Sequence, residues 1–236
     1  MSEPLVLLPP MLCDARVFAP QIDALSADRP VMFVPTHHGE RIEEIASALL
    51  SVAPPRFALA GMGMGGAVAL EIMRRAPERV NRMALISTSF TGETPQGASA
   101  REPLIVAARS GRYADAIAAE LRPDWLAPGP TRLKVLQLVS DMAHALGPEG
   151  YVQQARAMQR RKDQQSTLRK MRCPVLILCG QEDTLLPVKR HQFLSELITD
   201  AKLHVVAGAG HLPTLEEPGE TTAALRAWLR QPLVLR

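Results

Sequence analysis

The sequence predicts an α/β fold: a mostly parallel, doubly wound sheet of about six strands, carrying a helical insertion. Three observations predict it. Short segments recur that are apolar from end to end, helical patterns alternate with them, and one long stretch holds helical patterns only. Strands that are apolar throughout, without alternation, belong to a sheet covered on both faces. Strand and helix in turn make such a sheet parallel.

The first strand is expected at residues 5–8, Leu-Val-Leu-Leu, ended by Pro9-Pro10. Others follow at 31–34, 57–60, 83–86, 175–179 and 203–206, each bounded by Pro, Gly or a polar turn. Helices are expected at 42–50, stopped by Pro54-Pro55, and at 67–75, ended by Pro77. Two more, at 187–197 and 218–229, open on a proline, which suits the first helical turn because no N–H is needed there. Between about 94 and 167 no strand pattern occurs. Helical stretches at 103–110, 114–121, 132–146 and 151–162 are separated there by Pro and Gly. The chain therefore divides into a core of residues 1–93 and 168–236 and an inserted lid of residues 94–167, lying over the C-terminal edge of the sheet.

Bulk properties narrow the function classes. A length of 236 residues suits one domain with an inserted part, and 47% hydrophobic residues suffice for a core. The net charge of +3 is too small to argue for nucleic acid or a membrane surface. The basic run Arg160-Arg161-Lys162, with Arg169, Lys170 and Arg172 after it, reads as a solvated helix face. Three cysteines, Cys13, Cys173 and Cys179, are odd in number and lack metal spacing, which argues against disulfides and zinc and for a reducing, cytoplasmic setting. No signal-like or membrane-length apolar run is visible. The expected partner is a small-molecule substrate or ligand, with neither nucleic acid nor membrane, and the chain is expected as a monomer or homodimer. No cofactor is expected: Gly61-Met-Gly63-Met-Gly65-Gly66 departs from the dinucleotide spacing, and no phosphate-binding loop occurs.

That glycine-rich stretch is the most informative part of the chain. Phe57-Ala-Leu-Ala-Gly61-Met-Gly63-Met-Gly65-Gly66-Ala-Val-Ala-Leu-Glu-Ile reads as a buried strand, a sharp turn and a helix. Small residues at 61 and 65 allow strand and helix to pass closely, and the turn lifts residue 63 to the mouth of a pocket. A nucleophile elbow has this frame, Gly-x-Ser-x-Gly, with serine at the centre. Here the centre is Gly63.

On these residues the chain resembles the α/β-hydrolase superfamily, in particular small lidded hydrolases with a Gly-x-Ser-Met-Gly-Gly elbow. The resemblance spans nearly the whole chain. It implies a catalytic acid at Asp183, in Cys179-Gly-Gln-Glu-Asp183-Thr-Leu-Leu-Pro187, and a base at His211, in Gly208-Ala-Gly210-His211-Leu-Pro-Thr-Leu-Glu-Glu-Pro218. The chemistry of such a pair is direct. A neutral imidazole takes a proton near neutral pH, and a carboxylate behind it fixes the tautomer and stabilises the imidazolium. Asp183 could also cap the helix that starts near Pro187. The resemblance further implies an oxyanion hole made by the backbone N–H groups of Met64 and Met11. Pro10 stands where the family usually has glycine, and its fixed φ could re-aim the Met11 peptide.

Two parts of the catalytic apparatus thus depart from the pattern, Gly63 and Pro10. Either divergence or deliberate replacement accounts for a glycine at 63. Three functions stay open: a serine-type hydrolase of a small ester, acyl or C–C-bonded carbonyl substrate whose serine is missing; an Asp183–His211 enzyme working without a covalent intermediate; and a catalytically silent binding protein. Ligand contacts are expected from Leu12, Phe90, Leu186 and Leu212. The lid offers Tyr113, Trp125 and Tyr151 as its aromatics, and Met11, Met62, Met64, Met142 and Met158 are candidates for adaptable apolar surface. Cys13 and the Ser87-Thr88-Ser89 stretch are weighed as substitute nucleophiles, but packing and turn roles suit them better.

Overall fold

In a computed structural model, described over residues 3–232, six parallel strands form one sheet in the order β2-β1-β3-β4-β5-β6. The strands are β1 Leu5–Leu8, β2 Val31–Phe33, β3 Phe57–Met62, β4 Val80–Ile86, β5 Val175–Gly180 and β6 Ala201–Val206. Around them run α1 Ala19–Leu25, α2 Ile42–Val52, α3 Met64–Arg75, α8 Val188–Glu196, α9 Pro213–Glu216 and α10 Pro218–Leu229. Between β4 and β5 lie α4 Pro95–Arg109, α5 Tyr113–Glu120, α6 Arg132–Gln159 and α7 Gln165–Lys170.

The uniform apolarity of the strands is explained by their two covered faces. Val6, Leu8, Leu59, Met83, Leu85 and Ile177 join one core beneath α2, α3 and α8. Their chain neighbours Leu5, Leu7, Ala60, Ala84, Ile86 and Leu178 join a second core beneath α1 and α10. Side chains alternate across a strand, so each run feeds both cores. The edges differ: β2 is half-buried, and β6 is partly exposed with Lys202 outward.

β3 starts on the opposite side of β1 from β2, so strand order reverses between β1 and β3. The loops leaving the C-terminal ends of these two strands border the crevice where parallel α/β sheets bind ligands.

Several boundaries depart from expectation for physical reasons. β4 begins three residues early, across the polar Asn81-Arg82, because Arg82 finds a buried partner in Glu3 at 2.7 Å and in the carbonyls of Trp228 and Gln231. α4 begins at Pro95 and runs through Pro103, because Thr94 caps it by accepting from the Gly97 N–H at 3.0 Å. The two stretches expected at 132–146 and 151–162 follow one another across a corner at Gly147, where φ is 77° and ψ 169°. α1, α7 and α9 were not anticipated from the sequence. Among the described residues no helix is long and apolar enough to cross a membrane.

Candidate active site

β5 ends at Gly180, and the tight loop after it carries Asp183, whose side chain is fully buried. Its Oδ1 accepts from the N–H groups of Leu185 and Leu186, both at 2.9 Å. Its Oδ2 receives the His211 Nδ1 at 2.8 Å. The helix that follows starts at Val188, with Pro187 at its cap position, so Asp183 shapes the loop ahead of it and is not its N-cap. Beneath it, burial and the negative charge of Asp183 push the Cys179 thiol up to about 12.

His211 follows β6 on a loop held from both sides. Its own N–H donates to the Trp125 carbonyl at 2.8 Å. Glu216, at the end of α9 and buried, accepts from the N–H groups of Gly210 and Ala127 on Oε2 and of Leu212 on Oε1, at 2.7–2.9 Å. The Trp125 ring meets the imidazole edge-on, with centroids 6.1 Å apart. A carboxylate only accepts, so the bond to Asp183 places the imidazole proton on Nδ1 and leaves Nε2 as the basic atom. Nε2 makes no hydrogen bond to any described residue, and His211 lines a cavity.

The elbow stands beside this cavity. Gly61 and Gly65 have no room for a Cβ: one at Gly61 would run into the Gly65 carbonyl, and one at Gly65 into the Leu8 carbonyl. That close approach forces the chain to turn at Gly63, which has φ 53° and ψ −118°. Positive φ strains any side-chain-bearing residue, and glycine adopts it freely. The turn is locked from below: the Gly63 N–H donates to Ile86, and its carbonyl accepts from the Gly66 N–H and the Thr88 hydroxyl. A Cβ on Gly63 would lie 2.8 Å from Cβ of Pro10, a ring atom tied to the backbone.

The two candidate oxyanion donors flank the elbow. Met64 opens α3, where the first amides have no intrahelical partner. Met11 sits in the loop after β1. Neither N–H donates to a described residue, and both methionines line the cavity. The next residue, Leu12, adopts φ 64°, and its N–H is held by the buried Gln154 side chain of α6 at 3.0 Å. Gln154 also donates to Thr36 at 3.2 Å, so the helical segment pins the loop that carries Met11.

The cavity encloses about 500 Å³ and opens onto Gly63, Met11, Met64 and His211. Leu12, Leu186 and Leu212 line it, as expected. Phe90 does not. It is buried in the core beneath α3 and its ring faces Phe193 at 6.0 Å, because the chain turns inward after Ser89. Met158 and Trp125 reach the cavity, whereas Met62 and Met142 fill the core and Tyr113 packs against Tyr151.

Of the substitute nucleophiles, Cys13 is buried, and desolvation reinforced by Asp14 raises its thiol far above the ordinary range. It is therefore held as the unreactive thiol. Ser87 lines the cavity at φ 40°, with its hydroxyl buried and without a partner among the described residues, and the Thr88 hydroxyl is committed to Gly63.

Sequence reasoning missed Glu216 and Gln154: Glu216 collects the nearby Gly210 and Leu212 amides with the distant Ala127 amide, and Gln154 bridges the distant Leu12 amide and Thr36 hydroxyl, bonds that no residue pattern marks. It also misplaced Arg161. Among the basic residues expected on a solvated face, Arg161 is only 14% exposed, lines the cavity and pairs with Glu93 at 2.8 Å. Its neighbours Arg160 and Lys162 pair at the surface with Glu40 and Glu43.

Comparison with known proteins agrees with this architecture. A family model described as the alpha/beta hydrolase family matches residues 5–225. "Putative carbamate hydrolase RutD" of Pseudomonas savastanoi pv. phaseolicola is 29% identical over 183 residues, covering 74% of this chain and 68% of its own. The pimeloyl-[acyl-carrier protein] methyl ester esterase of Aromatoleum aromaticum is 28% identical over 212 residues, covering 81% of each. Among solved structures, a thermophilic esterase from Thermogutta terrifontis superposes with a TM-score of 0.87 at 24% identity, over 98% of this chain and 90% of that one. The enol-lactonase of Burkholderia xenovorans LB400 gives 0.87 at 23%, over 98% and 92%. At these identities the two structures speak for the fold.

Proposed function

The chain belongs to the alpha/beta hydrolase family, and from that premise we propose that it hydrolyses a small ester or acyl substrate by activating water at His211, without a covalent intermediate. One observation carries this reading: a carboxylate-locked imidazole presents a free Nε2 to the cavity beside an elbow that offers no side-chain oxygen. The named relatives, a methyl ester esterase and a putative carbamate hydrolase among them, are named for hydrolysis and favour the same class of reaction.

The steps follow from the groups present. A water beside Gly63 gives its proton to Nε2 as its oxygen adds to the substrate carbonyl carbon. The Met11 and Met64 N–H groups receive the negative charge on the carbonyl oxygen. Asp183 stabilises the imidazolium, which then protonates the departing alcohol oxygen as the C–O bond breaks. Acid and alcohol leave, and the imidazole is neutral again. The helices between β4 and β5 act as the lid that excludes bulk water. Turnover is slow on the scale of serine enzymes, where loss of the nucleophile lowers kcat by about 10⁶.

The test is hydrolysis of p-nitrophenyl acetate and butyrate by the unaltered chain, by His211→Ala and by Asp183→Asn. General-base catalysis is worth roughly 10²–10⁴-fold, so both variants should fall by that range, with melting curves confirming folded protein at the assay temperature. A rate unchanged in folded His211→Ala removes the reading.

A silent binding role is the second reading, favoured by Pro10, whose ring crowds the place a nucleophile's Cβ would take. It predicts ligand-induced thermal shifts with no turnover.

A further inference from the structure

The segment between β4 and β5, with the loop before it, places four charged side chains on the cavity that holds the elbow: Glu93, Arg101, Glu120 and Arg161. Their side chains are only 10–21% exposed, so they form part of the wall. Charges held this way are costly unless partnered. Arg161 shows that cost, since burial pulls its pKa down against the opposing pull of Glu93.

The formal charges cancel, but the hydrogen-bonding capacity does not. Glu93 Oε2 accepts from Arg161 Nη1 at 2.8 Å and lies 3.5 Å from Arg101 Nε, and its Oε1 accepts from the Thr94 N–H at 3.1 Å. Glu120 Oε1 accepts from Arg101 Nη1 and from the Tyr151 hydroxyl, both at 3.0 Å. Arg161 also donates to the carbonyls of Thr91 and Met158. One carboxylate oxygen is left, Glu120 Oε2. On the donor side, both Nη2 groups remain without an acceptor among the described residues, and neither is sealed from water. Arg122, which also lines the cavity, is taken up by Asp124 at 2.7 Å.

The shared carboxylate of Glu93 therefore gathers two guanidinium groups whose outer N–H pairs are unspent. Each guanidinium thus keeps one unspent nitrogen, Nη2, and two such cationic donors together suit the two oxygens of one carboxylate. Arg101 also stands near the reacting end. Its Nη1 lies 3.7 Å from Met11 Sδ, and Met11 carries the candidate oxyanion donor. A methionine side chain spans about 5 Å by ordinary bond lengths. Adding that contact keeps the guanidinium within roughly 9 Å of the Met11 N–H, which limits a substrate spanning both to a short linker of a few carbons.

We propose that Arg101 and Arg161 form an anchoring station for a carboxylate in this cavity, which makes the preferred substrate a short ester bearing a free acid, such as a monoester of a small dicarboxylic acid. The word substrate rests on the hydrolytic reading above; the station itself does not. Glu120 and Glu93 position the guanidinium groups and disfavour a second negative charge away from the anchor.

The test uses the full chain and three probes: glutarate, monomethyl glutarate and dimethyl glutarate, titrated calorimetrically. Monomethyl glutarate should bind at least tenfold more tightly than the neutral diester and more tightly than glutarate, whose second carboxylate is disfavoured, and the margin over the diester should shrink at high salt. Arg101→Gln should reduce the preference to under twofold, and Arg101→Lys should keep part of it, with melting curves confirming folded protein. Should Arg101→Gln not fold, Arg161→Gln gives the same reading, and the three-probe comparison on the unaltered chain needs no variant. Acid binding no tighter than the diester, or a preference undiminished in folded Arg101→Gln and Arg161→Gln, overturns the station. A clear acid preference with no ester turnover overturns the hydrolytic reading alone, and turnover without acid preference overturns the station alone.

Discussion

Gly63 decides what chemistry this site can do. Its φ of 53° is an elbow angle, kept although no side chain needs presenting there. Restoring serine would reintroduce backbone strain of about 1–3 kcal/mol and press Cβ against the Pro10 ring, 2.8 Å away. Gly63→Ser should therefore melt several degrees below the unaltered chain. It should also gain labelling by a fluorophosphonate probe, and Gly63→Ser combined with His211→Ala should lose it. A folded Gly63→Ser protein that never labels would mean that His211 Nε2 does not reach the elbow. At this scale much was legible in the sequence. The elbow frame, Asp183 and His211 are marked by flanking residues that local geometry demands: glycine where backbones touch, and Asp183 where a loop needs two amides collected. Phe90 was not legible, because the direction of a side chain after a strand end depends on how the next loop folds back.

At the scale of elements, the loop carrying His211 depends on a residue that no catalytic pattern points to. Glu216 satisfies three amides, one on each side of His211 and one at Ala127. Each buried donor left unpaired costs about 1–3 kcal/mol, so Glu216→Ala should lose at least about 3 kcal/mol, read in a denaturant melt. Glu216→Gln should also lose stability, because its amide would turn an N–H toward N–H groups that now meet an oxygen. Activity should fall with stability in both, and wild-type stability in Glu216→Gln would contradict this role. The strands were the most legible elements because burial on both faces leaves no polar residue to blur the run. β4 was clipped where Arg82 enters it, since only its distant partners Glu3, Trp228 and Gln231 make that charge tolerable. α4 was clipped at Pro103, where a helix interior is ordinarily broken.

Across the whole molecule, the sheet order brings the ends of β1, β3, β5 and β6 to one crevice, and residues of the segment between β4 and β5 line it. Topology of that kind was readable from alternation alone. The charged wall was not, because Arg161 sits in a basic run that looks solvated until Glu93 and α4 fold against it. In the proposed mechanism the Asp183–His211 pair acts on water at an elbow that forms no bond to the substrate. The most direct measurement is ester hydrolysis by the unaltered chain after long incubation with a fluorophosphonate, with intact-mass analysis of the protein. The account predicts undiminished hydrolysis, no stoichiometric mass increase, no initial burst of product and loss of the activity in His211→Ala. Inactivation with one probe per chain, or a burst with an acyl adduct, would show a nucleophile elsewhere on the protein and contradict it.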